Sequence, residues 1–185
     1  MWPQDHGVYY FEVTIVDQGD DDKKRFAIGF CEETTSLGLH LGWESRSWGY
    51  HGDDGNTFSS AAGSPYGSTF GQSDVIGCGV NFAKKTAFYT KNGEIIGQAF
   101  FDIRGKLYPA VSLDIRQTNC AFSVRFWNLD DTGNKDFMFK GPFNDPKTFQ
   151  ESERAVSKRE AQHDSDSSAN STSASSSEDS WFLDE

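Results

Sequence analysis

Short apolar runs broken by Gly, Asn and Asp recur from Gly7 to Lys140, with no long stretch of helical periodicity. That is the pattern of strands joined by turns. The rest of the chain is ordered around Asp74–Gly97, DVIGCGVNFAKKTAFYTKNGEIIG. Val75–Phe82 and Thr86–Thr90 read as two strands separated by the polar break Ala83-Lys84-Lys85. Strand side chains alternate, so Phe88 and Thr90 share one face of the second run and Tyr89 takes the other. Asn92-Gly93 predicts a tight hairpin, because a type I′ turn needs two positive φ angles. Gly77 and Gly79 leave one face of the first run bare, which predicts close approach of a backbone or a large aromatic ring.

The flanking runs extend the pattern. Gly7–Val16 places Tyr9, Phe11, Val13 and Ile15 on a core side, and Val8, Tyr10, Glu12, Thr14 and Val16 on a wetter one. Phe26–Cys31 is the next strand and is expected to pair with the first. Between them Asp17–Arg25 is a charged loop; its three consecutive Asp residues lack the ordered ligand spacing and distal Glu of a calcium loop. Glu32–Leu41 is irregular. Trp48 and Tyr50 share a face of a short strand and read as core, whereas Trp43, before a charged turn, reads either as core or as a loop-borne recognition residue. Thr57–Phe70 reads as a turn-rich link, and Gln98–Ile103, Leu107–Leu113 and Cys120–Phe126 as further strands. Asp136–Lys140 reads as a last short edge strand. The sum is an all-β sandwich of antiparallel sheets.

Composition sharpens this in three places. Sixteen Phe, six Tyr and five Trp supply the bulk of a core. The net charge of −11 is concentrated after residue 150, where nine acidic side chains face three basic ones. An acidic body without a basic stripe excludes nucleic acid as the expected partner. No apolar run approaches membrane-spanning length, and the opening MWPQDHG has no signal-peptide character. The expectation is therefore a soluble chain, cytoplasmic and also nuclear, with no membrane partner. Cys31, Cys78 and Cys120 are odd in number and lie in strand-like runs, so they read as buried free thiols of a reducing compartment. Residues 1–149 form the expected domain, and 150–185 an acidic, Ser-rich tail too poor in apolar residues to order itself. Ser175 and Ser176 each have an acidic residue three positions on (Glu178 and Asp179), which makes them candidate phosphorylation positions. His51 with Asp53 and Asp54 invites a catalytic or metal reading. The flanking glycines instead favour a turn whose carboxylates cap backbone N–H groups, and no nucleophile motif accompanies the histidine. No catalytic residue, metal or cofactor is assigned.

GVYYFEV, Ala27-Ile28-Gly29-Phe30, GWESRSWGYHGDDG, PYGSTF, DVIGCGVN, FYTKNG and LYPAVSL, in this order, resemble the SPRY (B30.2-related) domain over about Gly7 to Lys140. GYHGDDG, DVIGCGVN and FYTKNG together look most like the Ran-binding protein M subgroup, scaffold subunits of the GID/CTLH ubiquitin ligase. The resemblance implies a SPRY-type twisted sandwich of two antiparallel sheets without catalytic residues. It also implies that loops at one end bind a peptide or protein surface, with ubiquitin ligase subunits among the partners. Carried over by position, the binding residues are Glu33 and Thr34, then Trp43, Glu44 and Arg46, then Asp114, Ile115 and Arg116. Arg46 and Arg116 would clamp an acidic or carbonyl-rich ligand. The chain departs from the family in opening at Met1, where members carry several tens of residues before the first motif, so the rim is reduced or the chain is a fragment. It also inserts VRFWNLDDTGNKDFMF near the end of the domain. Three other readings remain: a secreted SPRY-type effector of a parasite, a lectin-like glycan binder using Trp43, Asp53, Asp54 and Asn56, and a hydrolase built on His51.

Overall fold

The computed structural model describes residues 7–19, 25–36, 38–113, 119–126, 136–141 and 143. The strands are β1 (Val8–Asp17), β2 (Phe26–Glu32), β3 (Ser47–His51), β4 (Asn56–Ser59) and β5 (Ala62–Pro65), then β6 (Val75–Asn81), β7 (Thr86–Lys91), β8 (Glu94–Phe100), β9 (Leu107–Leu113) and β10 (Ala121–Phe126). They form two antiparallel sheets, β10-β1-β6-β7-β8 and β5-β4-β3-β2-β9. The all-β sandwich read from the sequence is the observed architecture.

The expected hairpin joins β7 to β8, with Asn92 and Gly93 at φ 51° and 82°. Phe11, Val13 and Ile15 of β1 face Phe26, Ile28 and Phe30 of β2 across the core, and all six are fully buried. This explains why β2 does not pair with β1 as expected. Placed in opposite sheets, the Phe11–Ile15 face of β1 and the Phe26–Phe30 face of β2 cover each other, which neighbours in one sheet cannot do. Tyr89 joins this core while Phe88 and Thr90 point outward, as alternation required. Gly77 and Gly79 are where a side chain cannot be added. A Cβ on Gly77 would overlap the Tyr10 hydroxyl and Thr90 Oγ1, and one on Gly79 would overlap the Phe88 ring.

Two further expectations are corrected. Thr57–Phe70 is not a link, because it contains most of the β4–β5 hairpin. Asp136–Lys140 is not an edge strand; it lies across the outer face of the first sheet, where Phe137 and Phe139 pack on Tyr10 and Phe88. The face of β1 read as wetter is therefore buried at Val8, Tyr10 (0% exposed) and Glu12 (2%), whereas Thr14 is half-buried and Val16 is exposed. The Glu12 carboxylate accepts the Met138 and Phe139 backbone N–H groups, each at 2.9 Å, and the Tyr10 hydroxyl at 3.0 Å. All three cysteines are free, Cys31 and Cys78 buried and Cys120 half-buried.

Candidate functional site

The loop between β2 and β3 folds back over the outer face of the second sheet. Leu41 drives this by seating its side chain on Ala27, Cys31 and Ala110. Gly49 makes room for it, since a Cβ there would lie 2.7 Å from the Leu41 carbonyl oxygen. Three polar groups then latch the backbone. His51 Nε2 bonds the Leu41 carbonyl at 2.7 Å, Ser112 Oγ accepts the Leu41 N–H at 3.0 Å, and Ser47 Oγ accepts the Gly42 N–H at 2.9 Å. Ser47 Oγ in turn donates to the Glu44 carbonyl at 2.8 Å.

This latched loop walls an open groove of about 890 Å³, whose other sides are the end of β9, Arg25 and the β3–β4 turn. Its floor is a run of rings: His40 against His51 at 4.7 Å between centroids, His51 against Phe58 at 4.2 Å, and Phe58 toward Trp43 at 6.5 Å. Three apolar side chains on the rim face solvent, Leu39 at 53%, Trp43 at 51% and Leu113 at 37% exposure. Glu44, Asp53 and Asp54 make the lip acidic.

Ligating atoms of His51, Asp53 and Asp54 lie within 4.8 Å of one another. Asp54 caps the turn, accepting the Asn56 backbone and side-chain N–H groups at 2.9 Å each. Burial pulls the His51 imidazole below its ordinary pKa, opposed by the Leu41 carbonyl and by the Asp54 and Asp53 carboxylates. Nε2 therefore donates to Leu41 from a neutral ring. Among the described residues no hydroxyl or thiol is hydrogen-bonded to His51.

Among the described residues, those carried over from the resemblance do not all line one site. Trp43 and Glu44 line the groove. Arg46, at φ 62°, ties the base of the loop instead, with its guanidinium on Glu32 at 2.8 Å and its carbonyl accepting Glu32 N–H and Thr35 Oγ1–H. Glu33 pairs with Lys106 at 3.1 Å, and that ammonium holds its carboxyl below the usual range. Thr34 is exposed beside it. The β2–β9 register sets Glu32 opposite Leu107 and Phe26 opposite Leu113, so Glu33 and Leu113 stand at opposite ends of the sheet. Asp114, Ile115 and Arg116, which follow Leu113, lie outside the described residues, as do Ser175 and Ser176. Leu39, Phe58 and Leu113 were not among the sequence candidates. Phe58 alternates with the buried Thr57, a weak two-residue signal, and Leu39 sits in a segment with no period at all.

Two antiparallel sheets packed face to face, with a loop folded onto one outer face, define a β-sandwich domain that carries its concavity on its surface. The SPRY domain family matches residues 8–126, and the chain belongs to it. Ran-binding protein 9 of Homo sapiens is 50% identical over 108 residues, covering 58% of this chain and 14% of that protein. The Ran-binding protein M homolog of Arabidopsis thaliana is 40% identical over 147 residues, 79% of this chain and 28% of that protein. The chain thus spans less than a third of the length of either relative. A crystal structure of a human SPRY domain superposes with a TM-score of 0.55 at 33% identity, covering 64% of this chain and 74% of that one.

Proposed function

We propose that the chain is a non-enzymatic interaction module that holds a peptide or protein surface in the groove beside Trp43. The carrying observation is the exposed trio Leu39, Trp43 and Leu113 around a concavity whose walls are latched by His51, Ser47 and Ser112. Aromatic anchors set in a rigid frame are the usual source of binding energy at protein interfaces. The chain's similarity to Ran-binding proteins is in keeping with the resemblance drawn from its motifs, and we extend the proposal to what that resemblance implies, a place in a ubiquitin ligase scaffold in the cytoplasm and nucleus. No described helix is long and apolar enough to cross a membrane.

The test is affinity capture from a lysate of the source organism, with wild type and Trp43→Ala compared by mass spectrometry. A recurrent protein captured by wild type and lost by the variant, with unchanged melting, is the expected result. Ligase subunits in the lost set would place the module in that complex. Identical lists from the two proteins would remove Trp43, and the groove with it, from the binding function.

A further inference from the structure

The groove is apolar on its floor and net negative on its lip, where Glu44, Asp53 and Asp54 outnumber Arg25, the one lysine or arginine among the described lining residues. Asp53 makes no hydrogen bond or ion pair with a described residue, and Asp54 bonds only the uncharged Asn56. Their carboxylate oxygens nonetheless lie within 4.8 Å of each other, a spacing at which like charges repel unless a cation sits between or beside them. Glu44 adds a third acidic group to the same groove, and Trp43 presents an indole half open to solvent. An aromatic face with nearby carboxylates suits an alkyl-stemmed cation. The ring quadrupole attracts the charge, the carboxylates bond it, and the apolar floor covers the stem. The acidic lip equally repels an acidic ligand, which sets this groove against the acidic clientele expected of an arginine clamp. Arg46 does not line the groove; it is held on Glu32.

We propose that the groove selects peptides in which an arginine or lysine, directed at Asp53 and Asp54, lies within a few residues of a large apolar side chain seated on Leu39, Trp43 and Leu113. This rests on the groove being the binding site, and the experiment separates the two claims. Fluorescent peptide pools with one position fixed as basic, acidic or neutral beside a fixed leucine or phenylalanine are titrated against the full chain by anisotropy. Wild type, Trp43→Ala and Asp53→Asn/Asp54→Asn are compared, each checked by its melting curve, at about 50 mM and about 300 mM salt.

The basic pools should bind tightest to wild type and lose affinity in high salt. The double Asn variant, which keeps an oxygen acceptor for the Asn56 N–H, should weaken them by about tenfold and flatten the salt dependence. Trp43→Ala should abolish binding of every pool. Neutral or acidic pools winning, or the double variant binding as wild type while Trp43→Ala still loses binding, would sink the charge selection and leave the groove standing. No pool bound, or equal binding by Trp43→Ala, would overturn both.

Discussion

His51 is where the residue scale matters most, because one ring fixes a loop and floors the groove at once. It is 4% exposed, and burial lowers its pKa against the pull of two aspartates. In the unfolded chain the same imidazole titrates near about 6.5. As pH falls below that value the unfolded state takes up a proton that the folded state refuses. Stability contributed by neutral His51 is therefore complete above about pH 6.5 and is lost progressively toward the depressed folded pKa. His51→Gln keeps an N–H donor for the Leu41 carbonyl but cannot take up the proton. Urea midpoints measured from pH 8 down to pH 5 should fall more steeply for wild type than for the variant. Parallel curves would show that His51 does not titrate across this range on unfolding. The same bond explains why His51 could be noticed in the sequence but not understood. GYHGDDG announces a histidine in a turn, yet its partner is a carbonyl ten residues upstream in a segment without period.

At the scale of elements, what could be read locally was read, and what depended on distant partners was not. The β7–β8 hairpin follows from Asn92-Gly93, and the core faces of β1 and β7 follow from alternation, because both signals lie within a few residues. The β4–β5 hairpin turns at Ser60-Ala61, at φ 52° and 63°. Neither residue favours that left-handed region, and β5 is exposed throughout, so no turn or burial signal marks it. Glu12 looked solvated because its cover lies 126 and 127 residues downstream. That covering segment stands on two supports, the Phe137 and Phe139 rings against Tyr10 and the carboxylate beneath Met138 and Phe139. Phe139→Ala removes a 95%-buried ring and should cost about 3–5 kcal/mol. Glu12→Gln sets an amide NH₂ against a backbone N–H and should cost about 1–3 kcal/mol. Both act by releasing one segment, so the double variant should lose less than the sum. Denaturant melts in a double-mutant cycle measure this, and strict additivity would mean that the ring and the carboxylate hold the segment independently.

At the scale of the whole molecule, the question is how far the folded unit extends. Among the described residues, every buried member of the core clusters lies between Val8 and Phe139. Residues 151–185 hold Trp181, Phe182 and Leu183 in an otherwise Ser-rich acidic setting, and we propose from composition that they stand outside the domain. Charge points the same way for the groove. Nine acidic against three basic side chains make this segment a poor occupant for a lip formed by Glu44, Asp53 and Asp54. Deleting 151–185 should therefore leave the melting temperature within about 2 °C of the full chain, since roughly 1 kcal/mol corresponds to a shift of a few degrees at this size. It should also leave basic-peptide binding dependent on Trp43. A fall of many degrees would show that the apolar triplet near the C-terminus is buried against the sandwich. Tighter peptide binding after deletion, without a change in melting, would show that the acidic segment competes with the groove for basic ligands.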